Sequence, residues 1–255
     1  MAVELTRSDE FALLRLNRPE ALNALSFSIL GEIAARLDEV AAWNVRALLV
    51  TGAGGKAFCA GADIRELGGR SMTEQRRGAE FGQSVFARLE KLPMLSVAAI
   101  DGFAFGGGLE LALACTFRIA TPKSKLGLPE IKLGLIPGYG GTQRLPRLIG
   151  EARALDLILS GRAVESAEAE RIGLVNRVAE GDVLAAAADY ARQFTGYSLV
   201  TLRLAREAVS RALDLPVHEG FKVEADLSTL AFGSRDAAEG MTAFMEKRKA
   251  SFVDE

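Results

Sequence analysis

Two stretches, residues 45–51 and 95–100, are aliphatic and β-branched with little alternation, and they narrow what this chain can fold into. A strand wetted on one face alternates apolar and polar residues. A run of this kind instead reads as a strand buried on both faces, as in a parallel sheet covered by helices. The neighbouring segments agree. Residues 11–16 read as a short strand that stops at Asn17-Arg18-Pro19, where proline fixes φ and removes a donor. Residues 27–40 carry Ile29, Leu30, Ile33, Leu37 and Val40 at helical spacing, and Gly52-Ala53-Gly54-Gly55 closes the 45–51 strand. Residues 72–92 read as a helix of mixed charge, 109–115 as a buried helix after three glycines, and 117–120 as a strand again. This recurrence of strand, turn and helix predicts an α/β domain with packed sheets.

After Phe194 the pattern changes. Residues 199–213, 217–232 and 236–249 all read as helices, and Gly233-Ser234-Arg235-Asp236 offers a break followed by an N-cap. The predicted organisation is a core over 1–195 and a helical region over 196–255. So small a helical unit has little core of its own, so it packs on its own body or on a neighbouring subunit.

Scarcity narrows the chemistry. The 255-residue chain has one histidine (His218) and two cysteines (Cys59, Cys115), too few for a Cys₄, His₃ or HExxH zinc site. A Ser-His-Asp or Cys-His arrangement would have to use His218, and no GxSxG elbow holds a partner serine. Neither GxGxxG nor GxxxxGK[ST] occurs. Acid–base work therefore falls to carboxylates. Lys+Arg 31 against Asp+Glu 33 gives a net charge of −2, with no basic run suited to a nucleic-acid arm. Two cysteines make no disulfide framework, the N-terminus lacks a signal-peptide layout, and no apolar run is long enough to span a membrane. A cytoplasmic protein is expected.

Three segments can carry chemistry. Residues 58–65, Phe-Cys-Ala-Gly-Ala-Asp-Ile-Arg, form a small-residue loop between strand and helix that lets a ligand approach peptide N–H groups. The plainer reading, a tight turn, is the stronger one for this segment alone. In the second segment, Gly106-Gly107-Gly108 precedes the apolar helix with Glu110 in its first turn. Three glycines cost conformational entropy, and they leave N–H donors free at a positive helix end, a setting for a developing oxyanion. Glu110 could be an ordinary first-turn glutamate, but this helix has no polar face to solvate it. Burial without a partner would raise its pKa toward the range useful for proton transfer. The third segment, residues 127–142, holds Glu130 among apolar residues beside Pro129; a solvent-facing ion pair with Lys132 is the competing reading.

Together the strings at 58–65, 106–110, 128–131 and 136–145 resemble the enoyl-CoA hydratase/isomerase (crotonase) superfamily, and the similarity runs from residue 14 to residue 249. That resemblance implies a spiral α/β core of ββα units with a C-terminal helical trimerisation region, assembling as a trimer or a dimer of trimers. It also implies an acyl-CoA whose thioester oxygen sits between the N–H groups of Ala62 and Gly107. Glu110 would activate water for attack at Cβ, Glu130 would deliver a proton to Cα, and Gly138 would line the water and acyl pocket. Ala62, Asp63, Ile64 and Arg65 match the loop that meets pantetheine and adenine. Phe244 and Lys247 match C-terminal residues that reach adenine or phosphates, and Arg18 is a further phosphate candidate. No metal or redox cofactor is implied, since coenzyme A is part of the substrate; no nucleic acid or membrane partner is expected. Relatives that only isomerise or cleave often lack one glutamate, so both together favour hydration. Within the family the chain most resembles a short-chain enoyl-CoA hydratase, which implies a part in fatty-acid or related acyl-CoA degradation, while the sequence does not reveal the acyl chain. The alternatives are a Δ3,Δ2-enoyl-CoA isomerase on the same scaffold and a non-catalytic CoA- or RNA-binding protein. Two departures stand out: Thr116, where many relatives carry Asp, and Leu128, where many carry Gln before Pro-Glu.

Overall fold

The computed structural model describes residues 1–255 and divides into two compact units, Met1–Leu92 with Ser96–Tyr190, and Pro93–Leu95 with Ala191–Glu255. The division falls inside a helix, a few residues before the change of character that the sequence places near 195.

The first unit opens with an antiparallel hairpin of β1 (Val3–Ser8) and β2 (Phe11–Leu16). The sequence does not announce β1, because only Val3 is buried in it and most of the strand is wet and polar. Next comes α1 (Phe27–Ala41), started by Ser26, whose Oγ accepts the Ile29 N–H at 3.2 Å. Three strand–strand–helix turns follow. The first is β3 (Ala47–Gly52), β4 (Ala57–Cys59) and α2 (Met72–Glu90), the helix opening on a capping box of Ser71 and Glu74. The second is β5 (Leu95–Ile100), β6 (Phe103–Phe105) and α3 (Gly107–Ala114). The third is β7 (Phe117–Ala120), β8 (Lys125–Gly127), a 3-10 turn at Pro129–Leu133 and α4 (Gly141–Ile149). After α5 (Glu151–Ser160) come β9 (Val164–Glu165), α6 (Ser166–Arg171), β10 (Arg177–Val178) and α7 (Val183–Thr195).

The first strand of each turn enters a six-stranded sheet ordered β1-β2-β3-β5-β7-β10, and the second enters a four-stranded sheet ordered β4-β6-β8-β9. This is the expected spiral of ββα units. Strands β2 and β3, and β5 and β7, run parallel. Every residue of β5 and all but the last of β3 are buried, which is why their sequences lack alternation. Large side chains with almost no exposure, among them Phe58, Phe86, Leu48 and Ile100, fill the core; burying each stabilises the fold by about 1.5–3 kcal/mol. The loop read at 58–65 begins later than expected, since Phe58 and Cys59 belong to β4.

The second unit holds α8 (Leu199–Arg211), α9 (Val217–Phe232) and α10 (Arg235–Glu246), with Ser198 and Ser234 capping the first and the last. Buried Asp236 accepts the N–H groups of Val253 and Asp254 at 2.7 and 2.9 Å, which folds the C-terminal segment back on α10. Helix α9 has no buried residue, and Phe221, Leu230, Phe232 and Phe244 stand 63–84% exposed. No helix is long and apolar enough to cross a membrane.

Candidate active site

The three consecutive glycines each answer a separate close approach. Gly106 turns the chain at φ +50°, and a side chain there would start 2.7 Å from the Glu130 Oε1. One on Gly107 would start 3.2 Å from the Tyr139 ring and 3.4 Å from the Ala62 nitrogen. One on Gly108 would start 2.1 Å from the Cys59 carbonyl oxygen of β4. The first intrahelical bond of α3 runs from the Glu110 N–H to the Gly106 carbonyl at 2.9 Å, so the Gly107 and Gly108 N–H groups find no acceptor within the helix. Ala62 sits in a parallel bridge with Leu25 whose bonds use the Gly61 carbonyl and the Asp63 N–H, both at 2.8 Å. Its own N–H is left outside that bridge, beside the start of α3.

Glu110 is 1% exposed, as expected from its apolar helix, but it is not without partners. Its Oε1 accepts the N–H groups of Tyr139 and Gly141, each at 2.7 Å. Burial pushes its carboxyl up to about 7; the Gly141 N–H opposes this, the Glu130 charge adds to it, and the Tyr139 N–H and Arg144 oppose it. These partners are peptide groups of the Gly138–Gly141 turn, so they carry no side-chain signature. Leu128 is fully buried and its Cδ1 lies 3.0 Å from where a Gly141 side chain would begin, so it packs beneath the same turn.

Glu130 lies in the 3-10 turn Pro129–Leu133, stiffened by the proline. It forms no ion pair with Lys132. Its Oε2 is buried with no hydrogen-bond partner, and burial raises its pKa. An unpaired buried carboxylate oxygen is costly in the ionised form, so this group holds its proton more tightly than an ordinary glutamate. The glutamates are near enough that the charge of one raises the pKa of the other.

Helix α2 supports the turn. Tyr139 lies against Gly82 and meets the Phe86 ring edge-on at 5.8 Å, and Gln83 Nε2 donates to the Gly138 carbonyl at 2.9 Å. Arg144 ties the turn down, donating to the Tyr139 carbonyl at 2.9 Å and to Glu90 at 2.5 Å. Arg76, one of the charges on this helix, pairs with Glu80 at 2.9 Å.

A cleft of about 390 Å³ opens beside Ala62, walled by Ala21, Leu22, Ala24, Ala60 and Ile64. At its rim Arg65 donates to Asp63 at 2.9 and 3.0 Å, and Arg18 reaches the same carboxylate at 3.2 Å. Arg65, expected in the loop that meets pantetheine and adenine, and Arg18, a phosphate candidate, are both paired with Asp63, whose pKa the Arg65 and Arg18 contacts hold down at about 2 against opposing desolvation. Phe244 is exposed on α10 and Lys247 caps it, both in the second unit. Cys59 and Cys115 are buried free thiols pushed up to about 12, which makes them inert. No group of three or more His, Cys, Asp and Glu residues is arranged to hold a metal ion.

The fold and the site define a ββα-spiral protein that brings the peptide N–H groups of Ala62 and Gly107 together beside two desolvated carboxyls. A family model described as enoyl-CoA hydratase/isomerase matches residues 6–255. The crotonyl-CoA hydratase of Syntrophomonas wolfei is 41% identical over 254 residues, 98% of this chain and 96% of that one. The short-chain-enoyl-CoA hydratase of Clostridium acetobutylicum is 39% identical, covering 97% of this chain and 95% of its own. An enoyl-CoA hydratase structure from Bacillus anthracis superposes with a TM-score of 0.94 at 38% identity, covering all of both chains. The chain belongs to the enoyl-CoA hydratase/isomerase family.

Proposed function

We propose that this protein is an enoyl-CoA hydratase, adding water reversibly across the 2,3-double bond of a 2-enoyl-CoA to give a 3-hydroxyacyl-CoA. The observation that carries the reading is the pair of desolvated glutamates, Glu110 and Glu130, beside the N–H groups of Ala62 and Gly107. The thioester oxygen is held by those two N–H groups. Ionised Glu110 takes a proton from water as the water oxygen bonds to Cβ; the π electrons move to the thioester oxygen as an enolate, and protonated Glu130 then gives its proton to Cα. The N–H groups supply the electrostatic stabilisation and the carboxyls the proton transfer, so the chemistry as read calls on no metal or redox group. The Asp63–Arg65 loop and the cleft at Ala62 are the proposed route for the pantetheine arm, with Gly138 lining the acyl end.

The purified protein is expected to hydrate crotonyl-CoA without added metal or nicotinamide, followed as loss of the conjugated-thioester absorbance. Isomerisation of a 3-enoyl-CoA with no hydration of any 2-enoyl-CoA would establish the isomerase instead.

The working state has Glu110 ionised and Glu130 protonated, one proton on the pair. Since Glu110 must lose its proton, kcat/KM is expected to rise as pH increases through about 7. It should fall again where Glu130 ionises, the two limbs reporting the coupled pair rather than either residue alone. A flat profile between about pH 5 and 9 would remove Glu110 as the base.

The helical region is proposed to mediate trimerisation, since α9 buries nothing and exposes Phe221, Leu230 and Phe232. Exposed apolar surface of this extent marks an interaction face. Sedimentation is expected to give a trimer or hexamer; a monomer at micromolar concentration counts against the assignment, and with it against Phe244 and Lys247 as ligand contacts supplied across a subunit boundary.

A further inference from the structure

We propose that Arg18 is a positioning residue for the oxyanion hole: its ion pair with Asp63 holds the Ala62 N–H in register with that of Gly107. The proposal rests on the reading of those two N–H groups as the thioester-oxygen site. The 60–62 loop is Ala-Gly-Ala, with Gly61 at φ +111°, so it has no side chain with which to anchor itself. Besides the Cys59 thiol, which donates to the Gly61 carbonyl at 4.0 Å, its anchors come from the turn at 17–25. Ala60 N–H bonds to the Leu22 carbonyl at 3.0 Å, Leu25 brackets Ala62 through Gly61 and Asp63, and Arg18 Nη1 reaches across 45 residues to the Asp63 Oδ2 at 3.2 Å.

That turn is itself held firmly. Asn23, 1% exposed, accepts the Arg18 N–H on Oδ1 at 2.9 Å and donates through Nδ2 to the carbonyls of Ala53 and Ala57 at 3.0 and 2.8 Å. Leu22 and Asn23 lie at φ +52° and +57°. Leucine seldom occupies that region, and it persists there only where the surroundings over-determine it. The Arg18 and Asp63 side chains are 26% and 10% exposed, so their attraction is less screened than that of a surface pair. Arg65, 77% exposed, holds the same carboxylate from outside. An oxyanion hole acts by preorganisation, and its donors lose their value when they drift.

The test compares Arg18→Met with Arg18→Lys, which restores a charged donor for the single Asp63 oxygen that Arg18 meets. The first readout is the infrared carbonyl stretch of bound butanoyl-CoA labelled with ¹³C at the thioester carbon, a saturated ester that cannot be hydrated. Wild type is expected to lower this frequency, Arg18→Met to lose most of the shift, and Arg18→Lys to regain it. The second readout is turnover of crotonyl-CoA and of crotonyl-pantetheine, which carries no phosphates. Arg18→Met is expected to lower kcat by roughly 10- to 100-fold, equally for both substrates, with KM changed by less than about threefold. A full carbonyl shift in Arg18→Met overturns the proposal. So does a defect confined to KM that vanishes with the pantetheine ester, which would make Arg18 a phosphate ligand. An inert wild type would sink the hydratase reading alone, because the carbonyl shift still decides the role of Arg18. If Arg18→Met does not fold, Arg18→Gln, which keeps a donor and loses the charge, carries the same comparisons.

Discussion

Glu110→Gln and Glu130→Gln are each expected to slow hydration of crotonyl-CoA by roughly 10²–10⁴-fold, the range of a lost general acid or base. The double variant should be little slower than the worse single one, since groups that act on one water in one step fail as a unit. Folding should survive in both. In Glu110→Gln the amide oxygen can keep both bonds that Oε1 accepts, from the Tyr139 and Gly141 N–H groups. Stability should also respond to pH in a definite sense. The Glu110 pKa rises from 4.5 to about 7 in the folded protein, so the folded state holds the proton more tightly than the unfolded chain. The stability this confers is complete below about pH 4.5 and is lost as pH rises through 7, leaving an ionised buried carboxylate that costs roughly 3 kcal/mol at pH 8. The amide carries no such cost. Glu110→Gln should therefore melt higher than wild type at pH 8, with the difference shrinking toward pH 4. Loss of turnover with gain of stability is a pattern that a merely structural glutamate cannot produce. Wild-type hydration in Glu130→Gln, with Glu110→Gln inactive, would remove Glu130 as the proton donor and leave Glu110 as the single working glutamate.

What was legible in the sequence was whatever burial writes into side-chain pattern. Strands β3 and β5 are covered on both faces, and their aliphatic runs say so. Helix α3 is buried at every position, so an acid within it had to be unusual. Strand β1 was silent because an exposed edge imposes little pattern. The string at 136–145 reads as a motif, which hides that its second half opens helix α4 at Gly141.

The site divides along similar lines. Glu110 and Glu130 were visible as acids in apolar surroundings. The groups that hold Glu110 are backbone N–H groups, and any residue in the Gly138–Gly141 turn supplies those, so composition could not reveal them. The Arg18–Asp63 pairing is invisible in the sequence for a different reason. Charge alone suggests a phosphate site for a basic residue, and sequence cannot show that an acid 45 residues away pairs with it. Proximity of the 18 and 63 segments comes from the Leu25–Ala62 bridge, a backbone contact with no side-chain signature.

Gly108→Ala is expected to damage both fold and rate, through a single methyl group. That methyl would start 2.1 Å from the Cys59 carbonyl oxygen, 2.7 Å from its carbon and 2.8 Å from the Cys59 Cβ. No rotamer relieves a clash between Cβ and a neighbouring backbone, so α3 must lift away from β4. Overpacking of this kind typically costs about 1–3 kcal/mol, and more where backbone is the obstacle. Cys59 is three residues before Ala62, and Gly108 follows Gly107 directly, so the displacement falls between the two proposed oxyanion donors. The rate should fall by roughly 10²–10³-fold, the loss seen when one such donor is removed. Gly31→Ala is the matched control. Gly31 lies inside α1 with nothing within 4 Å of the added methyl. There the substitution removes only the entropic penalty of a helical glycine and should stabilise by about 0.5–1 kcal/mol, leaving turnover unchanged. Measuring kcat and melting temperature on both variants separates the two effects. If Gly108→Ala turned over at the wild-type rate below its melting temperature, the contact between α3 and β4 would be packing alone, and the oxyanion donors would have to lie elsewhere.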